Sequence, residues 1–270
     1  MADLKPKCRT EVATCMDCGK EYQQVIYERR NGTEVPPDPR CDECSAAYDD
    51  RMERERREKE LAAATIERRR QWDGLCGIPK KFADATFENF DKTKQPKAFK
   101  AMSEWDGKSL ILASPPGIYG VGKTHLAAAL AHKLMATTPS AMMQHGAVLL
   151  MPLPVMFTTE PLLMERIRST FNRDAEEHED RIFAAMEKVG LLIIDDVGKR
   201  QPRDLSFTQQ VWYRVIDGRY TGNRPIILTT NLLPRELEEH VGGACADRLD
   251  EMCGPSGMIA LKGESQRRVG

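Results

Sequence analysis

The stretch Ser109–Thr124, SLILASPPGIYGVGKT, constrains the fold more than any other part of this chain. An apolar run enters a glycine-rich loop, and an alanine-rich helical pattern, HLAAALAHKLM, leaves it. Gly117 to Thr124 fits G-x-x-x-x-G-K-[ST] in the strand–loop–helix setting that the motif requires. Glycines let the backbone approach phosphate oxygens closely, and successive N–H groups at a positive helix end can cradle the anion. Gly117, Gly120, Val121, Gly122, Lys123, Thr124 and His125 are therefore the expected nucleotide-binding set. Lys123 is expected to reach the β- and γ-phosphates of ATP, and the Thr124 hydroxyl to ligate Mg²⁺.

Short apolar runs alternate with helical patterns along the rest of this region. Strands are expected at Ser109–Ala113, Ala147–Met151, Leu191–Asp195 and Pro225–Thr230. Helices are expected near Pro96–Trp105, Lys123–Met135 and Phe207–Tyr220. This alternation predicts an α/β fold with a parallel, helix-covered sheet. The run LLIIDD ends a buried strand in two carboxylates, where such sheets place their sites. Asp195 is expected to hold the Mg²⁺ shell, and Asp196 to orient or deprotonate the attacking water. IILTTN ends a further strand in Asn231, suited to sense the γ-phosphate or the lytic water. Arg248, in Asp247-Arg248-Leu249, is placed either on a neighbouring subunit's nucleotide or in a salt bridge with Asp247 or Glu251.

Forty basic and 41 acidic residues give a net charge of −1, so any nucleic-acid contact must come from local patches. No run approaches the roughly 18 apolar residues of a membrane span, and MADLKPKC lacks a signal-peptide core, which predicts no membrane partner and a cytoplasmic protein. Cysteines kept reduced there read first as metal ligands. Of the eight, Cys15 and Cys18 form one C-x-x-C pair and Cys41 and Cys44 another, the spacing of a four-thiolate zinc knuckle. A structural Zn²⁺ would staple a segment too poor in apolar residues to fold unaided. Cys8 lies outside the pattern, and Cys76, Cys245 and Cys253 read as small buried hydrophobes.

The expected organisation is a cysteine-rich domain over 1–48, a charged helical linker over 49–77 and the ATPase domain over 78–270. The linker pairs Asp50 with Arg54, Glu53 with Arg57 and Glu55 with Lys59, and reads equally as a solvated helix or a docking arm. Between the second and third expected strands, about 40 residues carry two helical patterns, more than a minimal crossover needs.

With IPKKFADATFENF, GIYGVGKTHLAAAL, LLIIDDVG, RYTGNRPIILTTNL and ADRLDEM on the page, the chain resembles the AAA+ ATPases of the bacterial and phage helicase-loader family, DnaC-like, with IstB-like transposition ATPases as close kin. The resemblance implies a five-stranded parallel sheet with the P-loop strand central and no full C-terminal lid. It places Ala83–Phe90 beside the adenine, and the terminal GESQRR offers Arg267 as a second sensor arginine, a phosphate contact or part of a frayed tail. It places single-stranded DNA against the first of the extra helices, with Arg166, Arg168 and Arg173 on phosphates and Phe157 supporting or stacking. It further implies self-association into a ring or spiral, and docking of the zinc domain on a hexameric DnaB-like replicative helicase. The expected setting is the replication forks of the nucleoid, in a bacterial or phage-infected cell. Asp196 stands where many related ATPases carry Glu, so a shorter reach and slower hydrolysis are expected.

Overall fold

The computed structural model describes residues 8–29, 31–172, 174–263 and 265. The chain falls into two compact units, one reaching Ala64 and including Met143–Val148, the other comprising Thr65–Met142 and the chain from Leu149. In the first, β1 (Cys8–Thr14) and β2 (Glu21–Glu28) pair antiparallel, and β3 (Glu34–Val35) extends β2. Among its described residues only Cys15, Ile26 and Cys41 are buried apolar groups, while Val12, Val25 and Tyr27 are exposed. So small a core leaves the sheet dependent on another constraint.

α1 (Asp42–Cys76) is a single charged helix without an internal proline. Of the expected pairs, Glu53–Arg57 forms at 2.8 Å, joined by Arg56 at 2.8 Å. Gly77 ends the helix in the left-handed region, φ +77°, where a Cβ would also overlap the Phe157 carbonyl oxygen. Trp72 and Cys76, near the helix's end, are buried.

The second unit is a five-stranded sheet in the order β10 (Met258–Ala260), β4 (Leu110–Ala113), β9 (Ile226–Thr230), β8 (Leu191–Val197), β7 (Val155–Thr159). All four pairings are parallel. The P-loop strand β4 is interior but second in order, and the central place belongs to β9. Side chains alternate between two cores with the period-2 pleat. Ile111, Leu192, Ile194, Ile226 and Leu228 face α4 (Glu160–Ser169), α5 (Glu179–Lys188), α6 (Leu205–Thr221), α7 (Pro234–Val241) and α8 (Gly243–Cys253). Leu110, Leu112, Leu191, Ile193 and Ile227 face α2 (Pro96–Ser103) and α3 (Lys123–Thr137).

Two expectations are corrected. The expected strand Ala147–Met151 is not in the parallel sheet; β6 (Ala147–Leu150) pairs only with β5 (Ala141–Gln144) in a two-stranded hairpin. Its His145-Gly146 turn has φ of +49° and +80°, the conformation tight hairpins require. The sheet's edge strand is instead β7. Phe157 lies on that strand at 2% exposure, packed in the core, so it offers no face to a base. The extra helices α4 and α5 likewise bury Leu163, Ile167, Ile182 and Phe183 against the sheet.

Candidate nucleotide site and cysteine centre

The P-loop leaves β4 at Ser114 and returns through Gly117, Gly120 and Gly122 at φ of +84°, +76° and +99°. Those left-handed turns suit glycine alone at little cost. α3 begins at Lys123 with its N–H end open toward the loop. Val121 is buried at 1% and anchors the loop in the core. His125 donates Nε2–H to the Thr86 carbonyl at 2.9 Å, and its ring lies 5.3 Å from that of Phe90. His132 holds the Phe82 carbonyl in the same way at 2.9 Å. α3 thereby fixes the Phe82–Phe90 segment along the loop.

The sheet brings the remaining groups to the same end. β8 loses register with β9 between Ile194 and Val197, a bulge that turns Asp196 into the left-handed region at φ +58°. Asp195 stays buried at 2%. Thr124 Oγ1 lies 3.0 Å from both Asp195 oxygens, and the Thr229 hydroxyl donates to Oδ1 at 2.5 Å. The same Thr229 oxygen accepts the Asp196 N–H at 3.0 Å. Burial raises the Asp195 carboxyl above its ordinary range, against the pull of the Thr229 and Thr124 hydroxyls.

Lys123 is 8% exposed, donating to Ser114 Oγ at 2.5 Å and Asn231 Oδ1 at 3.2 Å. Asn231 returns Nδ2–H bonds to Ser114 Oγ and the Ile118 carbonyl, each at 2.8 Å. Lys123, Asn231, Thr124, Asp196, Tyr119 and Phe82 share one cavity of about 370 Å³. Lys199 lines it too, with Nζ 2.5 Å from Asp196 Oδ2. Ser114, Thr229 and Lys199 join the residues expected from sequence. Thr229 lay inside the quoted TTN run, and Lys199 follows the double Asp by three positions. A hydroxyl beside a carboxylate is the hard-oxygen donor set Mg²⁺ takes, and the cavity has the loop and lysine a triphosphate needs, so both fit.

Arg248 is half-buried on α8, 3.0 Å from Asp217 rather than from Asp247 or Glu251, with Tyr213 and Tyr220 rings 5.1 and 5.6 Å away. It does not line the cavity of its own chain. Arg166 pairs with Glu177 at 2.8 Å, and Arg168 lies 4.8 Å from the Phe207 ring centroid. Arg168, Arg200 and Arg203 line a second cavity of about 370 Å³ beside α4. Arg173 and Arg267 lie outside the described residues.

In the first unit, Cys15 follows β1, Cys18 closes the knuckle turn at Gly19, and Cys41 and Cys44 start α1. Their four sulfurs lie within 4.8 Å of one another. Cys18 and Cys41 Sγ are 3.8 Å apart, which is close to the edge of a tetrahedron with zinc–sulfur arms of ~2.3 Å. The knuckle's backbone bonds, Gly19 N–H to Cys15 O at 2.9 Å and Cys15 N–H to Lys20 O at 2.8 Å, preform the first pair. Hydrogen bonds from the backbone at Cys41 and Cys18 bring the Cys15 thiol down to about 6, favouring the thiolate. The cluster could hold a zinc ion. Cys76, Cys245 and Cys253 are buried as expected, and Cys8 is exposed. Chelating the metal, or replacing Cys15 by serine, is expected to open β1 and β2 completely, because structural zinc supplies on the order of 10 kcal/mol of folding free energy. Amide exchange over residues 8–28 measures this; unchanged protection after complete metal removal would contradict it.

The family model for the IstB-like ATP-binding protein matches residues 40–269. The replicative helicase loader DnaC of Escherichia coli K12 is 26% identical over 181 residues, 64% of this chain and 66% of that protein. The match thus spans about two thirds of the length of the DnaC relatives. A putative ATP-binding protein in an insertion sequence of Mycobacterium tuberculosis H37Rv is 29% identical over 199 residues, 68% of this chain and 69% of that protein. The crystal structure of the DnaC helicase loader matches with a TM-score of 0.52 at 18% identity, covering 68% of this chain and 100% of that one. AMPPCP-bound DnaA from Aquifex aeolicus matches at 0.51 and 16%, covering 66% and 50%. At these identities the structural matches bear on the fold alone, which this chain shares with them. The chain belongs to the IstB-like ATP-binding protein family.

Proposed function

We propose that the chain is an ATPase that loads a hexameric DnaB-like replicative helicase onto single-stranded DNA. The observation that carries the ATPase part is the joining of the P-loop to the double-Asp strand, with Thr124 Oγ1 3.0 Å from both Asp195 oxygens. Lys123 neutralises the β- and γ-phosphates, Asn231 orients the γ-phosphate end, and Asp196 directs the lytic water. Thr124 and Asp195 would hold Mg²⁺, which when bound would supply Lewis-acid stabilisation of the transferred phosphoryl group. Subunits assemble into a ring or spiral in which Arg248 leaves Asp217 to complete the neighbour's site. Hydrolysis then drives release.

The loader reading is favoured by the likeness to DnaC and by the four-cysteine unit, which we assign to the helicase. Arg166 and Arg168 contact DNA phosphates, and Arg200 and Arg203 join Arg168 at the cavity those three line. The protein works in the cytoplasm at replication forks. A second reading, an ATPase that binds DNA and recruits a transposase, is favoured by the 29% identity to the insertion-sequence protein. Mixing the full chain with the purified helicase or transposase of its source, with ATP, separates the two. A defined complex with the helicase on size exclusion is expected; a complex with the transposase alone would move the function to the second reading.

A further inference from the structure

Glu160 opens α4, where an acidic residue would ordinarily face solvent and complement the helix dipole. Here it is 4% exposed. It accepts hydrogen bonds from three separate segments. Oε2 takes the backbone N–H of Gly198 at 2.7 Å. Oε1 takes Trp212 Nε1–H on α6 and His240 Nε2 on α7, both at 2.6 Å. A carboxylate is an acceptor only, and three donors converging on it match what its burial requires.

Gly198 connects this node to the chemistry. It lies two residues past Asp196, in the turn that follows the β8 bulge, with φ +73°. A Cβ there would overlap the side chain of Leu232, the neighbour of Asn231. The turn is therefore fixed by Leu232 on one side and by Glu160 Oε2 on another. Asp196 occupies a left-handed conformation that a non-glycine residue keeps only where its surroundings impose it. Lys199, which bonds its carboxylate, is an exposed side chain. The backbone is thus the firmer hold on the direction of that carboxylate.

We infer that Glu160 is a positioning residue for hydrolysis: by holding the Gly198 N–H it fixes how Asp196 presents its carboxylate to the nucleotide cavity. It does so without lining that cavity. The inference rests on the proposed role of Asp196.

Glu160→Gln tests it with almost no change of shape. The amide oxygen can still accept from Trp212 and His240, while the NH₂ meets the Gly198 N–H donor to donor. The expected result is a fall in kcat of roughly tenfold or more with KM for ATP within about twofold, since an interaction acting on the reaction rather than on binding is lost. Amide exchange over residues 195–200 is expected to accelerate while α3 and β4 stay protected. Val215→Ala, a core change on α6, serves as a stability control and is expected to lower Tm yet keep kcat. A Glu160→Gln protein with wild-type kcat, or one whose kcat loss Val215→Ala reproduces, overturns the inference. So does fast exchange of the Gly198 amide in the wild type, whatever the variant does. A wild type that binds ATP but never hydrolyses it brings down the ATPase reading instead, and the exchange data still judge the Gly198 anchor.

Discussion

Replacing Lys123 by alanine is expected to weaken ATP binding roughly a hundredfold and to abolish turnover, with the fold intact. Lys123 is the cation at the start of α3, enclosed by Ser114 and Asn231 on the cavity wall. A charge-assisted contact to a polyphosphate in so enclosed a place contributes about 3 kcal/mol, roughly a hundredfold in Kd. Lys199, the other lysine lining the cavity, is held on Asp196 and stands past the end of β8, so it is no substitute. Stability is expected to change little, because Ser114 and Asn231, which accept from the ammonium, are neutral groups that other donors can satisfy. Binding of a fluorescent ATP analogue and release of phosphate measure the two parts; retained hydrolysis would end the P-loop assignment.

Arg219→Leu is expected to produce the largest loss of stability of any single substitution in the second unit. Arg219 is fully buried on α6, and among the described residues no carboxylate forms an ion pair with it. Its guanidinium donates instead to four carbonyls: Met186 at 2.9 Å, Val189 at 2.6 Å, Gly190 at 2.9 Å, and Pro225. These are the end of α5 and the residues just ahead of β8 and β9. One planar fork thus satisfies backbone groups at the entry to both strands that carry Asp195 and Asn231. Leucine would take this donor from the Met186, Val189 and Gly190 carbonyls at about 1–3 kcal/mol each, while Pro225 would keep the Leu192 N–H. Even partial rehydration leaves a loss of about 4 kcal/mol or more, a large fraction of the 5–15 kcal/mol typical of a domain. Arg219→Lys, with a compact ammonium in place of the fork, should fall between. Denaturant unfolding decides; a midpoint within experimental error of the wild type for Arg219→Leu would show that the four bonds contribute nothing net.

The nucleotide site was legible because its signals are contiguous: GIYGVGKT, LLIIDD and IILTTN each carry spacing and chemistry within a few residues. The four cysteines were legible for the same reason. What escaped depends on partners far away in sequence. Glu160 looks like an ordinary first-turn acid until α6, α7 and the Gly198 turn close on it. Arg219 sits in a polar run, and nothing local says that it is buried. β7 was missed because VMFTT is short and ends in two threonines, whereas AVLL offers a longer apolar run. The His145-Gly146 turn was the local clue that AVLL belongs to a hairpin. Misplacing that strand also misplaced Phe157, because the pleat sends it inward beside Val155.

The most direct test is helicase loading onto closed circular single-stranded DNA, where no free end lets a hexamer thread unaided. The account predicts that unwinding of an annealed strand requires this chain and ATP, and that Lys123→Ala fails to support it. Equal unwinding with and without the chain, or full support from Lys123→Ala, would contradict it.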